Sequence, residues 1–598
     1  MNGTAIAEGK SRAPEQADKA TQYSVAPPGS ESIVETAKQR IAIFVAHGMG
    51  QQIPFETLDA IAESLRAYDA ALTGRRNKPA SNTIKSDDGS WLQRVELDLK
   101  SGTSQVEAHV YEGYWAPLTE GRITLRQVMN FLAGAGSNGL KIARRTFRRW
   151  LLGEYRAFPT PIRIVLYLLV ALATVAALVA LNSTIAIVVA TRALFSQKPW
   201  WLTDGLFADL TTTFNAVVTT MAVFGASLAI AHYMRRLKVP VLARKTWAWV
   251  TLPLFALTVF VVILAGVSVL SLLFLHIRGS VADSAELWQA FFSKGSIDRF
   301  NAHFDTWALA LVLIAAGLRL LWWVAVIVWR VLRDLGEPHG RWLTIVIVVV
   351  FLLLVLALIF LVLRFLGAAH DSEGLLTAQR GVAWPLLLVA SAFIRLVLVQ
   401  FVGDVAIYVM PYKLDAFNDL RKEIKETVYK VAHAVYALKD QSGTGLEYDR
   451  VIVLGHSLGS VIAYDALNRL IHEDRVAAPA SALHVVDRTP LFLTFGSPLD
   501  KTAFIFGAQG HGTTEARESL AASVQPLIQN YDYRPKQWIN IYSPWDIISG
   551  YLDLYDLPGA TNSKKVDNRK DPEATTLLMA HTEYWNDRLL IQTLYNAV

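Results

Sequence analysis

A serine equipped to act as a nucleophile lies at position 457. Residues 451–467 read VIVLGHSLGSVIAYDAL: an apolar run of strand type, the pentapeptide Gly455-His456-Ser457-Leu458-Gly459, then a segment with helical spacing. This is the pattern of a nucleophile elbow, in which strand turns into helix so sharply that side chains two residues before and after the serine would collide. A serine hydroxyl is a weak nucleophile, so it needs a base, and the base needs a carboxylate to orient it. Two aspartates follow strand-type runs. Asp546 comes just after Trp538–Tyr542, and Asp500 just after Leu491–Phe495. His581, near the C-terminus, is the candidate base. Among the other histidines, His456 holds an elbow position whose side chain is expected to point elsewhere, His472 falls in the following helix, and His511 sits in a glycine-rich loop before Asp546.

The flanking sequence supplies elements to carry these groups. Ile41–Ala46 is a short buried-type strand that runs into His47-Gly48-Met49-Gly50, and Pro54 to about Leu72 has helical spacing. Val95, Leu97 and Leu99 alternate, as do Val106, Ala108 and Val110, around a polar turn at Ser101-Gly102-Thr103-Ser104, which predicts a hairpin. Residues 413–438 put Leu414, Phe417, Leu420, Ile424, Val428, Val431, Val435 and Leu438 on one helix face directly before the elbow strand. Strand and helix then alternate, the pattern of a parallel sheet.

Between these two segments the chain changes character. It has 598 residues, 53% of them hydrophobic, and the apolar content is concentrated between about 163 and 402. Six stretches are long enough to cross a bilayer: 164–190, 210–231, 247–275, 306–329, 342–363 and 382–402. The third carries Pro253, and the sixth carries Pro385 and Arg395. Arg319 and Arg395 fall inside spans that contain no Asp or Glu, so snorkelling or bonding to helix carbonyls is expected rather than an ion relay. Lys and Arg cluster before the first span (Arg144, Arg145, Arg148, Arg149) and between the second and third (Arg235, Arg236, Lys238, Arg244, Lys245), which predicts both termini on the cytosolic side. An even number of spans returns the chain to the side it left, so two distant segments can build one domain. The expected organisation is a disordered tail over 1–33, a first half domain with a basic juxtamembrane segment over 34–160, a membrane domain over 161–403 and a second half domain over 404–598. The tail is polar and lacks an apolar signal-peptide core.

The two outer segments together resemble an α/β-hydrolase of the lipase and esterase kind. GHSLGSVIAYDAL, FGSPLD and NIYSPWD are similar to the corresponding blocks of intracellular DDHD-type phospholipases A1. The resemblance implies an α/β-hydrolase fold, a mostly parallel sheet with flanking helices assembled from two segments, joined to an all-α domain of six spans. It also implies roles. In that superfamily the carboxylate and then the histidine follow the serine in the chain, so Ser457 would be the nucleophile, Asp546 the orienting acid with Asp500 its rival, and His581 the base. The His47-Gly48 loop is similar to the family's HG loop, so Gly48 or Met49 with Leu458 would donate backbone N–H groups to an oxyanion.

Several classes are set aside by composition. The chain has no cysteine, hence no disulfide, thiol nucleophile or cysteine-ligated zinc. No cluster of His or paired carboxylates suggests a metal, no cofactor is called for, and no nucleic-acid motif accompanies the net charge of +6. The arginine-rich stretch 140–156, LKIARRTFRRWLLGEYR, reads either as a topology signal or as a segment lying against anionic phospholipids. The expected activity is acyl ester hydrolysis on membrane lipids at the cytosolic face of the inner membrane. A thioesterase or acyltransferase using the same three residues remains open, as does a noncatalytic transport or scaffold protein with a ligand-sensing hydrolase-like domain.

Overall fold

The computed structural model describes residues 39–278 and 415–598, apart from 50–52, 75–77, 87–88, 102–103, 120–121, 123, 144–146, 160, 195–203, 441 and 509–514, together with residues 391, 394, 405 and 408. The expected tail, the fourth and fifth spans, Arg319 and Arg395 lie outside the described residues, as do His511 and nearly all of the sixth span.

The first segment gives β1 (Gln39–Ala46), α1 (Glu56–Thr73), β2 (Ala80–Lys85), β3 (Trp91–Ser101), β4 (Ser104–Gly113), α2 (Leu125–Ala143), β5 (Phe147–Leu151) and β6 (Glu154–Phe158). Three long helices follow: α3 (Ile162–Leu194), α4 (Asp204–Arg236) and α5 (Val241–Arg278). The last segment gives α6 (Asp415–Ala437), β7 (Arg450–His456), α7 (Leu458–Val476), β8 (Leu491–Phe495), α8 (Leu499–Ala508), β9 (Gln537–Tyr542), β10 (Val566–Lys570), α9 (Ala580–Glu583) and α10 (Arg588–Tyr595), with a further helix over Glu515–Ser523 and several helical turns between.

Both outer segments enter one eight-stranded sheet of order β10-β9-β8-β7-β1-β4-β3-β2. The six strands from β10 to β4 run parallel, and β3 and β2 are antiparallel additions at one edge. The alternation read from the sequence sets the hairpin register, with Val95 opposite Val110, Leu97 opposite Ala108 and Leu99 opposite Val106. The join between segments is central: β1 pairs with β4 on one side and with β7 on the other, Ala46 lying opposite both Gly113 and Gly455. Strand β1 is buried on both faces, as a parallel strand covered by helices should be. Ile41, Ile43 and Val45 pack with α1 and α10, while Ala42, Phe44 and Ala46 pack with α6 and α7.

Three helices are long and apolar enough to cross a membrane, over Arg163–Ile187, Thr213–Arg236 and Val241–Ser271, which marks this as a membrane protein. Pro253 sits inside α5 without dividing it. Close helix approach relies on small residues, since a Cβ on Gly266 would fall 2.5 Å from the Cβ of Ala177 on α3. Ser227 and Thr251 share a hydrogen bond of 2.8 Å between α4 and α5. Ser391 bonds Asn182 of α3, and Tyr408 donates to Asp465 of α7.

Part of the arginine-rich stretch is built into the α/β domain. The end of α2 leads into the β5–β6 hairpin, whose two turn residues, Leu152 and Gly153, both have positive φ, as a type I′ turn requires. Arg149 donates to the carbonyl of Leu554 (2.9 Å) and lies 4.4 Å over the Tyr555 ring, so it is a packing residue of the α/β domain. Arg148 is exposed, and Arg144 and Arg145 lie outside the described residues.

Candidate active site

The elbow is a consequence of close packing at the end of β7. Ser457 has φ 52° and ψ −131°, a conformation that an L-residue holds only when its surroundings impose it. The flanking glycines are required by space. A Cβ on Gly455 would sit 2.4 Å from Ser460 Cα, and one on Gly459 would sit 2.2 Å from the carbonyl oxygens of both Ala46 and His47. The second contact shows that the helix after the serine is pressed against the end of β1, which brings the first segment of the chain to the elbow.

At that sheet edge three side chains form one hydrogen-bonded chain. His581 Nε2 lies 2.7 Å from Ser457 Oγ, and His581 Nδ1 lies 2.9 Å from Asp546 Oδ2. Ser457 is fully buried, and His581 and Asp546 nearly so. Asp546 Oδ1 accepts the Ile548 N–H (2.9 Å), and Oδ2 also accepts the Tyr584 hydroxyl (3.1 Å). Burial alone would raise the Asp546 pKa, but the opposing charge and hydrogen bond of His581, with the N–H groups of Ile548 and Ser549, hold it below the usual value. Asp546 is therefore a carboxylate suited to fixing the His581 tautomer. Burial and the charge of Asp546 raise the pKa of Tyr584, which keeps its proton. The rival, Asp500, belongs to α8 and faces Lys501 and Gly550, and burial raises its pKa. Its carboxylate is not bonded to His581. His472 lies on α7, as expected from its spacing.

The opposite side of Ser457 is formed by the loop after β1. A Cβ on Gly48 would fall 2.9 Å from Ser457 Cβ and 2.8 Å from His456 Nδ1, so only glycine fits there. His47 organises this loop. Its ring stacks on Trp115 (4.9 Å, 6° between planes), its Nε2 accepts the Trp115 N–H (3.0 Å), and its Nδ1 therefore carries the proton and donates to Gly48 O (2.8 Å). Burial lowers its pKa to about 4, so the ring is neutral at pH 7. With the Gly48 carbonyl held by His47, the planar trans peptide turns the Met49 N–H the other way. Met49 is buried. Leu458 opens α7, where first-turn N–H groups have no intrahelical acceptor and favour an anion.

Sequence reasoning did not find three residues of this arrangement. Tyr584 braces Asp546, and His47 holds the Gly48 loop. His456, expected to point elsewhere, donates from Nε2 to the backbone carbonyl of His581 (2.9 Å). A histidine beside each glycine turn was visible, but not its partner. Among the described residues, Glu96, Glu107 and His109 bring potential metal ligands within 4.8 Å of one another. Arg94 pairs with Glu96 and Arg40 with Glu107, and both His109 nitrogens are engaged by Tyr448 and Glu107, so this is a charge-balanced network rather than an open ligand set. No protein-family model matches the chain, and no curated protein or solved structure matches it either.

Proposed function

We propose that this protein is a membrane-embedded serine hydrolase of the α/β-hydrolase kind, which cleaves acyl esters of membrane lipids. The observation that carries the reading is the chain Ser457–His581–Asp546, held at 2.7 and 2.9 Å where the elbow meets the end of β1. In this reading Ser457 Oγ attacks the ester carbonyl carbon while His581 Nε2 takes its proton, and Asp546 stabilises the resulting imidazolium. The oxyanion is met by the N–H of Leu458 and that of Gly48 or Met49. Collapse expels the alcohol, which receives the proton from His581. Water activated by the same histidine then releases the acid and restores the serine.

Two observations support a lipid as the acyl donor. The α/β domain is continuous with helices able to cross a membrane. Exposed apolar side chains also flank three of the contributing segments: Ile53 and Phe55 beyond the Gly48 loop, Ile547 after Asp546 and Met579 before His581. The charge pattern of the connections supports six spans with both termini and the α/β domain on the cytosolic side. The test is hydrolysis by the full chain in phospholipid nanodiscs, comparing long-chain acyl lipids with a short water-soluble ester. The lipid should be preferred in kcat/KM, and a preference for the short ester would remove lipid as the substrate class.

A further inference from the structure

We propose that Arg235, at the end of membrane helix α4, is a positioning residue for His581, so that the α4–α5 hairpin is a working part of the catalytic apparatus. This rests on the hydrolase reading above. His581 belongs to the short helix α9 inside the segment 573–587, and the Arg235 guanidinium binds both ends of that segment. It donates to the carbonyls of Glu573 (3.2 Å) and Glu583 (2.8 Å), pairs with the Glu583 carboxylate (3.1 Å) and bonds Asp587 Oδ1. The Glu583 carboxylate also accepts the N–H groups of Thr575 and Thr576 (3.0 and 3.2 Å), which closes the loop that presents His581.

The next membrane helix reinforces the clamp. Arg244 of α5 donates to the same Glu573 carbonyl (3.2 Å), and one turn later Ala248 is buried in the cluster that holds Trp545, Ala580 and Tyr584. Trp249 meets Trp545, the neighbour of Asp546, edge to face at 5.3 Å. The hairpin thus touches the segments of both the base and its orienting acid.

Charge explains why an arginine is needed. Asp571, Glu583 and Asp587 are all buried, and among the described residues Arg235 is the cation paired with the latter two. Burial first, then the neighbouring charge of Asp571, raises the Asp587 pKa, and Arg235 opposes this. Without the guanidinium the segment must repack to separate or protonate these carboxylates. The displacement would fall on His581.

The experiment uses the full chain in nanodiscs, with turnover of a soluble ester and the rate of fluorophosphonate labelling as readouts. Arg235→Gln should lower kcat and the labelling rate roughly 10- to 100-fold with KM nearly unchanged, as loss of alignment does. Arg235→Lys should retain an intermediate rate. Arg235→Gln combined with Asp587→Asn, which removes a carboxylate left without its cation at nearly the same side-chain volume, should recover most of the loss. Wild-type rates in Arg235→Gln would overturn the inference while leaving the hydrolase reading intact. A loss that the second substitution does not relieve, with a lowered unfolding midpoint, would also overturn it, making Arg235 a residue of general stability. If the wild-type chain were not labelled at all, the hydrolase reading would fall and this inference with it.

Discussion

His456 and His581 lie with their rings 5.1 Å apart, and the imidazole of the first is hydrogen-bonded to the backbone carbonyl of the second. The elbow therefore carries the candidate nucleophile and, one residue earlier, a brace for the candidate base. The bond requires a proton on His456 Nε2, and burial, which lowers its pKa to about 3, keeps the ring neutral. An unfolded histidine titrates near 6.5, so between about pH 3 and 6.5 the unfolded chain binds more protons and stability rises with pH. His456→Phe should flatten that rise in unfolding midpoints measured from pH 4.5 to 6.5. It should also lower kcat by about tenfold, the worth of one buried hydrogen bond.

The two aspartates separate cleanly by experiment. Asp546→Asn keeps the shape but offers His581 Nδ1 the wrong partner, and kcat should fall by about 10³- to 10⁴-fold. Asp500→Asn should cost less than about tenfold, because its carboxylate faces Lys501. Tyr584→Phe, which removes one of the bonds to Asp546, should cost about 1.5–3 kcal/mol in kcat/KM. The reverse ranking of the aspartates would move the acid to Asp500.

Arg148 and Arg149 are neighbours with different fates. Arg149 is tied to Leu554 and Tyr555, so Arg149→Gln should lower soluble-ester hydrolysis and lipid hydrolysis alike. For Arg148, exposed on β5, the loss should be larger on anionic than on neutral vesicles, and most so at low salt, where screening is weak. Equal losses on neutral and anionic vesicles for Arg148→Gln would leave it no part in lipid binding.

Docking of Arg235 and Arg244 puts the α4–α5 turn on the side of the α/β domain. Protease protection in sealed cells should therefore group a tag at either terminus with that turn, and expose a tag in the 278–300 connection from outside. Termini reporting opposite sides would exclude a domain built from both ends of an evenly spanning chain.

The elbow was legible because glycine at 455 and 459 answers contacts that any side chain would violate, one within the turn itself and one against the end of β1. β1, the β3–β4 hairpin and α6 were legible from hydrophobic period alone. The braces were not. His456 acts on a main-chain carbonyl 125 residues away, Tyr584 on a carboxylate 38 residues away, and Arg235 on a loop more than 300 residues away, and a single sequence carries no mark of such pairings. The β5–β6 hairpin was hidden for a different reason. Its turn places Leu152 at φ 51°, where asparagine or glycine would have announced it.

The proposed hydrolysis requires Ser457 to be an activated nucleophile. The direct measurement is mass-spectrometric mapping of the adduct formed when the purified full chain meets a fluorophosphonate. A single covalent phosphonyl adduct on Ser457 is expected, absent from Ser457→Ala and strongly slowed in His581→Ala. An unlabelled wild-type chain, or equal labelling of the Ser457→Ala variant, would contradict it.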